Sequence, residues 1–336
     1  MASYPVTVYR WDDPGAPQIG NGRASDIINI WQKCLVEGYG TKLPLGWTRP
    51  YYDAARQRAC YRNNVDAGGS GGYAIVFSNA GNDADYNLMR LSHAKTMSDI
   101  DTAVGQGFTK AFQIINGIGN LRRTKWVIIG TACAFYFMVS YDNFPLDGAT
   151  NSHLPALFVG DFFSRVPNDA GRFVSECALG TSSDLNTTNN SGFYALNSIA
   201  DIIGTDAKSL RIQNSDNSSG SKVYGAALHT YSYPSNYTIT LENESAQILS
   251  PIGICEGGIA GSGNRPSVLQ SSAGNTVNPY YRGQFPGIYT VFNPYRNDRS
   301  FPTIISQNGQ NHWLLRTFWG APATLINMEV WNDPFL

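Results

Sequence analysis

Gly68-Gly-Ser-Gly-Gly72 matches the G-x-S-x-G spacing of a serine nucleophile elbow. In that elbow a strand delivers the serine and a helix carries the chain away. The hydroxyl then stands beside backbone amides that can hold an oxyanion. Here Asn63-Asn64 precedes the glycines and the β-like Tyr73-Ala-Ile-Val-Phe77 follows them, so Ser70 reads as a loop serine. The same glycines do not read as a phosphate loop, because no Lys-Ser/Thr pair follows.

Carboxylates offer the next chemistry. Asp83-Ala-Asp85 and Asp99-Ile-Asp101 have the spacing of two calcium ligands, but neither continues into the run of oxygen donors that a calcium loop needs. Both read as solvated turns. A glycosidase needs two carboxylates facing across a cleft. Asp161, Glu176, Glu242 and Glu244 are available for that, though their spacing does not select them. His93, His153, His229 and His312 have no zinc-type spacing to one another or to the five cysteines, Cys34, Cys60, Cys133, Cys177 and Cys255. The expectation is a chain with no catalytic residue, no metal and no cofactor.

Composition points to assembly or binding. Charged residues make up 15% of the 336 residues and aromatics 12%, against roughly 25% charged in an ordinary soluble domain. A net charge of −1 and a pI near 6.4 argue against holding nucleic acid by counterion release. The densest basic cluster, Arg122-Arg123 with Lys125, is too small to be a tract. The odd number of cysteines and the lack of a secretory leader pattern suggest reduced thiols made in a cytoplasm. On that view the N-x-Ser/Thr triplets starting at Asn186, Asn189, Asn217, Asn236 and Asn243 reflect local Asn/Ser/Thr richness rather than glycosylation. Tyr231, Tyr233, Tyr280, Tyr281, Tyr289 and Tyr295 are candidates for a protein- or sugar-contacting surface. The alternative for each is half-buried packing.

The elements that would position these residues are mostly short strands. Val6–Arg10 predicts a first strand, ended by the turn residues Asp13-Pro14-Gly15. One helix is predicted from Ser25 to Glu37, with Ser25 as N-cap and Ile27, Trp31, Cys34 and Leu35 forming one apolar stripe. Gly38 or Gly40 would end it. Strands are predicted at 59–62, 73–77, 88–92, 157–163, 223–231, 237–241, 313–319 and 325–331. Trp126–Ile129 and Ala134–Val139 read as a hairpin buried on both faces, and at 126–141 the apolar stretch is too short for a membrane helix of about 20 residues. Polar loops are expected at 180–192, 214–221 and 257–274. The fold class is therefore β-rich α+β, with antiparallel sheets and one principal N-terminal helix. A boundary at Asn143–Gly148 would divide a scaffold, 1–145, from a loop-rich contact-making part, 146–336.

Several segments occur together in a familiar order: Val6-Thr-Val-Tyr-Arg10 with Asp13-Pro-Gly-Ala-Pro17, Cys34-Leu-Val-Glu-Gly-Tyr-Gly40, Gly46-Trp-Thr-Arg-Pro50, Ala59-Cys-Tyr-Arg-Asn63, Thr96-Met-Ser-Asp99, Trp126-Val-Ile-Ile129, Phe158-Val-Gly-Asp-Phe-Phe-Ser164 and Phe285-Pro-Gly-Ile-Tyr289. In these the chain resembles a group of virion structural proteins of tailed bacteriophages, over nearly its full length and least between about 180 and 274. The resemblance implies a homo-oligomeric virion protein, made in the host cytoplasm. Its partners would be copies of itself and other virion proteins, not nucleic acid or membrane. The expected position is neck, collar or tail. Capsid decoration, and a receptor-binding or polysaccharide-depolymerising tail protein, are the alternatives.

Overall fold

The computed structural model describes residues 1–85, 88–107, 109–113, 124–140, 156–176, 209–211, 213–217, 222–226, 248–256, 280–291, 295, 302–315 and 324–336. Three antiparallel sheets and one helix account for most of them, which is the β-rich α+β class.

The middle sheet has five strands, in the order Phe173–Glu176, Ala156–Asp161, Ala134–Ser140, Lys125–Gly130 and Thr7–Arg10. Its centre is the expected hairpin, with Ile128 opposite Phe137. Successive side chains of a strand point to opposite faces, and here each face enters a different core. Trp126, Ile128, Phe135, Phe137, Leu157 and Val159 belong to one core, whereas Val127, Ile129, Tyr136, Met138 and Phe158 belong to the other. This explains why the hairpin is apolar at nearly every position: neither face meets water. The boundary expected at Asn143–Gly148 lies outside the described residues. The strands on either side of it, Ala134–Ser140 and Ala156–Asp161, are neighbours in this sheet.

The first core is closed by the helix and by a sheet of five strands, Thr48–Asp53, Arg58–Arg62, Tyr73–Ser78, Leu88–Ala94 and Lys110–Gln113. The helix runs from Ala24 to Trp31 and continues as a π-helical turn, Gln32–Glu37. Ile27, Trp31, Cys34 and Leu35 are fully buried, as the stripe requires. Trp31 meets Tyr61 of the outer sheet and Phe135 and Phe137 of the middle sheet edge-on, with ring centres 5.8, 5.0 and 6.0 Å away. The start of the helix differs from the expectation. Arg23, in extended backbone, is the N-cap residue, and the Arg23 amide donates to Asp26 at 3.0 Å. Ser25 lies inside the first turn, and its amide donates to Asp83 Oδ1 at 2.9 Å. A carboxylate from another loop satisfies this helix-end amide, so Ser25 is not needed as a cap. The end is at Gly38 (φ 82°), whose amide donates to the Lys33 carbonyl.

The second core is closed by a sheet ordered Ser209–Arg211, Lys222–Ala226, Leu249–Glu256, Tyr280–Val291, Thr324–Asn327, Gln310–Leu315 and Ile304–Gln307, with Phe163–Ser164 pairing onto Tyr280–Val291. The predicted closing strands pair here, Leu314 opposite Leu325. The second of them is divided by a turn into Thr324–Asn327 and Val330–Asp333. Val330–Asp333 returns to pair with Ala2–Pro5. The strand predicted at 237–241 and the loops at 180–192 and 257–274 lie outside the described residues.

Candidate functional site

The glycine-rich loop is fastened to the middle sheet by a buried carboxylate. Asp161, only 6% exposed, closes the strand Ala156–Asp161. Its Oδ2 accepts from the Ser70 amide at 2.7 Å and from Asn63 Nδ2 at 3.0 Å, and its Oδ1 lies 2.5 Å from Ser70 Oγ. Asn63 also donates to the Cys133 carbonyl and accepts from the Gly71 amide. Burial pushes the Asp161 carboxyl above its ordinary range, while Arg172 and the bonds from Ser70 and Asn63 pull it back.

Ser70 lies in a loop that leads into the strand Tyr73–Ser78, the context read from the sequence, and its contacts are those of a fastening. A serine nucleophile needs a base that is itself oriented by a third group. Ser70 instead contacts a carboxyl whose other oxygen is already held by two donors, and its hydroxyl also accepts from the Gly72 amide at 3.3 Å. The described histidines sit elsewhere. His93 Nδ1 accepts from the Ser175 amide at 3.1 Å, and His312 lies beside Gln310 and Asn327. Glycine at 72 has a packing cause: a Cβ there would stand 2.3 Å from the Phe173 ring.

A second loop, 164–172, is fastened in the same manner. Asp169 accepts from Ser164 Oγ at 2.6 Å and from the Gly171 amide at 3.0 Å. Its two oxygens meet Arg282 in a two-pronged ion pair, both side chains being fully buried. The Arg282 guanidinium also lies over the Phe162 ring. Arg172 joins the loops: its Nη2 donates to the Gly68 carbonyl at 3.1 Å, and its Nε lies 3.6 Å from Asp161.

Between the two loops and the segment 333–336 is a cleft of about 530 Å³. Lys95, Arg165 and Arg172 bring three cationic side chains to it. Val166, Pro167 and Phe335 supply apolar wall. Asp333 also lines it, but is buried, accepts from the Phe335 amide and has its carboxyl raised by burial. Sequence reasoning missed this site, since its parts come from four separate segments. The lone Arg282 in an apolar and aromatic run is the one local signal that a buried partner must exist.

The other candidates are placed as follows. Asp83 caps the helix and Asp85 pairs with Arg23 at 2.6 Å. Asp99 accepts the Asp101 and Thr102 amides, and Asp101 pairs with Arg56 and Arg58. No group of three or more potential metal ligands occurs among the described residues. Of the four glycosidase candidates, only Asp161 has a described side chain. Cys34, Cys60 and Cys133 are buried free thiols, and burial pushes Cys60 and Cys133 up to about 12. Tyr295 is 1% exposed in a small apolar cluster, so it is a core residue and not surface. Tyr281 is half-buried, edge-on to Phe335, and Tyr289 is half-buried against His312. Tyr280 lies in the same strand, at a position whose side chain is not described, and Tyr231 and Tyr233 lie outside the described residues.

Comparison with protein-family models and with curated proteins finds no match for this chain. No helix among the described residues is long and apolar enough to cross a membrane.

Proposed function

We propose that the chain is a multi-copy structural component of a tailed-bacteriophage particle, at the neck, collar or tail. The observation that carries the proposal is the middle sheet, covered on both faces and shared by two cores. The shared sheet ties the two cores to each other, and an arrangement of that kind suits a repeated building block. The resemblance of its ordered motifs to virion structural proteins points the same way. So does the use of Ser70, Asp161, Asp83 and Asp101 to fasten loops and a helix end.

Repeated copies would meet through symmetric contacts. Obligate contacts are larger and more apolar than transient ones, and an aromatic-rich chain poor in charge is suited to them. The loop-rich second half, 146–336, is the part assigned to such contacts.

Quantitative mass spectrometry of purified particles tests the reading. The chain should be present in a fixed multiple copy number, and particles made without it should stop at head completion or tail joining. Complete, stable, infectious particles lacking the chain would overturn it. Normal assembly with heads that become fragile would favour capsid decoration. Normal assembly with lost adsorption would favour receptor or polysaccharide binding.

A further inference from the structure

We infer that the strand Ile304–Gln307 pairs edge to edge with the same strand of a second copy of this chain, joining two sheets across a two-fold axis. The inference rests on the multi-copy reading above for its choice of partner, and deepens it by naming a contact surface.

The strand is the last of its sheet and is paired on one side, with Gln310–Leu315. The Leu314 amide donates to the Thr303 carbonyl at 3.0 Å. Bonded and non-bonded pairs alternate along an antiparallel ladder. Thr303, Ile305 and Gln307 therefore turn their backbone groups inward, and Ile304 and Ser306 turn theirs outward. Among the described residues nothing meets the outward amides and carbonyls of Ile304 and Ser306. The adjoining turn, Asn308-Gly309, stands in open space: a Cβ at Gly309 would meet no atom within 4 Å.

The other ends of the three sheets are blunted. Thr48–Asp53 contains Pro50 and a shift of register. On Thr7–Arg10 the Lys42 ammonium donates to the Val8 carbonyl, and on Phe173–Glu176 the Ser175 amide is held by His93 Nδ1. Lys110–Gln113 and Ser209–Arg211 are short, and each carries a cation. Proline, irregular register, shortness and charge keep a sheet edge from pairing with another chain. From Thr303 to Gln310 the sequence has neither proline nor charge.

A second copy fits this edge closely. With Ile304 opposite Ser306 of the copy, and Ser306 opposite its Ile304, every outward amide and carbonyl finds a partner, and the axis passes beside Ile305. Pro302, which lacks an amide, and the turn at 308–309 bound the strand, so this register alone uses all of those groups. A neutral strand meets its own copy without the repulsion that like charges bring. Ile304 also gains cover. The apolar row Ile288, Ile326, Trp313 crosses the sheet within the second core and ends at Ile304, which is 47% exposed. Pairing sets the two copies of Ile304 on a diagonal, about 7–8 Å apart and within reach of each other.

The test uses the purified full chain. So short an edge makes a weak dimer, which many copies held close together would strengthen. Sedimentation equilibrium up to about 1 mM should show a dimer that forms as concentration rises. Ile304→Lys brings two ammonium groups to the axis. Ser306→Pro removes an outward amide and spares the bonds to Gln310–Leu315. Each should raise the dimer dissociation constant about tenfold or more, with circular dichroism unchanged; if only one variant folds, that one decides. A nitroxide on Ser306→Cys, compared with the parent treated in the same way, should show dipolar broadening that dilution with unlabelled chain removes. A chain that stays monomeric to about 1 mM overturns the inference. So does a dimer left unchanged by the folded variants, or one without broadening. A chain that dimerises through this edge but is absent from particles overturns the virion reading alone. A chain present in particles and monomeric in solution overturns this inference alone.

Discussion

Arg282 and Asp169 are 113 residues apart in the chain, yet their side chains form a two-pronged pair with Nε–Oδ2 at 2.7 Å and Nη2–Oδ1 at 2.5 Å. Both are wholly enclosed. Removing one partner from such a pair leaves a buried charge uncompensated, at a cost of about 3–5 kcal/mol. Arg282→Met should therefore lower the unfolding free energy, measured by urea denaturation, by an amount in that range. Adding Asp169→Leu to it should recover part of the loss, because the double variant carries no buried charge. A double variant worse than Arg282→Met alone would show that the bonds from Asp169 to Ser164 and Gly171 matter more than the charge pairing.

Asp161 gives a pH signature. Its folded carboxyl titrates above the unfolded value of about 3.9. A group raised in this sense contributes its full stabilisation below the unfolded value, and loses it as pH rises through the folded value. Asp161→Asn remains neutral throughout. Relative to the parent, it should gain stability as pH goes from about 4 towards neutrality, measured by urea denaturation at several pH values. A variant that instead loses stability relative to the parent over that pH range would mean that Arg172, Ser70 and Asn63 outweigh burial.

The contrast between these two carboxylates explains what the sequence could show. Local period and turn chemistry point to the stripe of Ile27, Trp31, Cys34 and Leu35, the hairpin 126–139 and a stop at Gly38 or Gly40, because each depends on neighbours in the chain. Ser25 has the sequence context of an N-cap but does not act as one, because the carboxylate that meets its amide, Asp83, is 58 residues away. The strands Thr48–Asp53, Leu249–Glu256, Tyr280–Val291 and Ile304–Gln307 gave weaker signals, since proline, glycine or polar residues interrupt their alternation. The cleft was not legible at all. Its cations, Lys95 and the pair Arg165 and Arg172, lie on two segments that only tertiary pairing brings together, and the buried or half-buried positions of Tyr281, Tyr289 and Tyr295 likewise depend on distant partners.

The glycine-rich loop should respond as a fastening. Ser70→Ala removes one hydrogen bond to Asp161 and should cost about 1 kcal/mol. Gly72→Ala forces a methyl against the Phe173 ring and should cost about 1–3 kcal/mol. Thermal denaturation of both variants checks the order. If Ser70→Ala is the more damaging, the tight contact at Gly72 is not what fixes the loop.

The polar segments 180–192 and 257–274 are expected to make contacts between subunits. Deleting either should leave the isolated chain folded by circular dichroism while reducing its incorporation into particles. Normal incorporation of both deletions would move the contacts elsewhere on the molecule.

Density for the assembled particle tests the central claim most directly. Cryo-electron microscopy of intact virions should show this three-sheet body in several symmetry-related copies at the neck, collar or tail, with neighbours in contact through its second half. Particle density in which every position is filled by other chains would contradict the account.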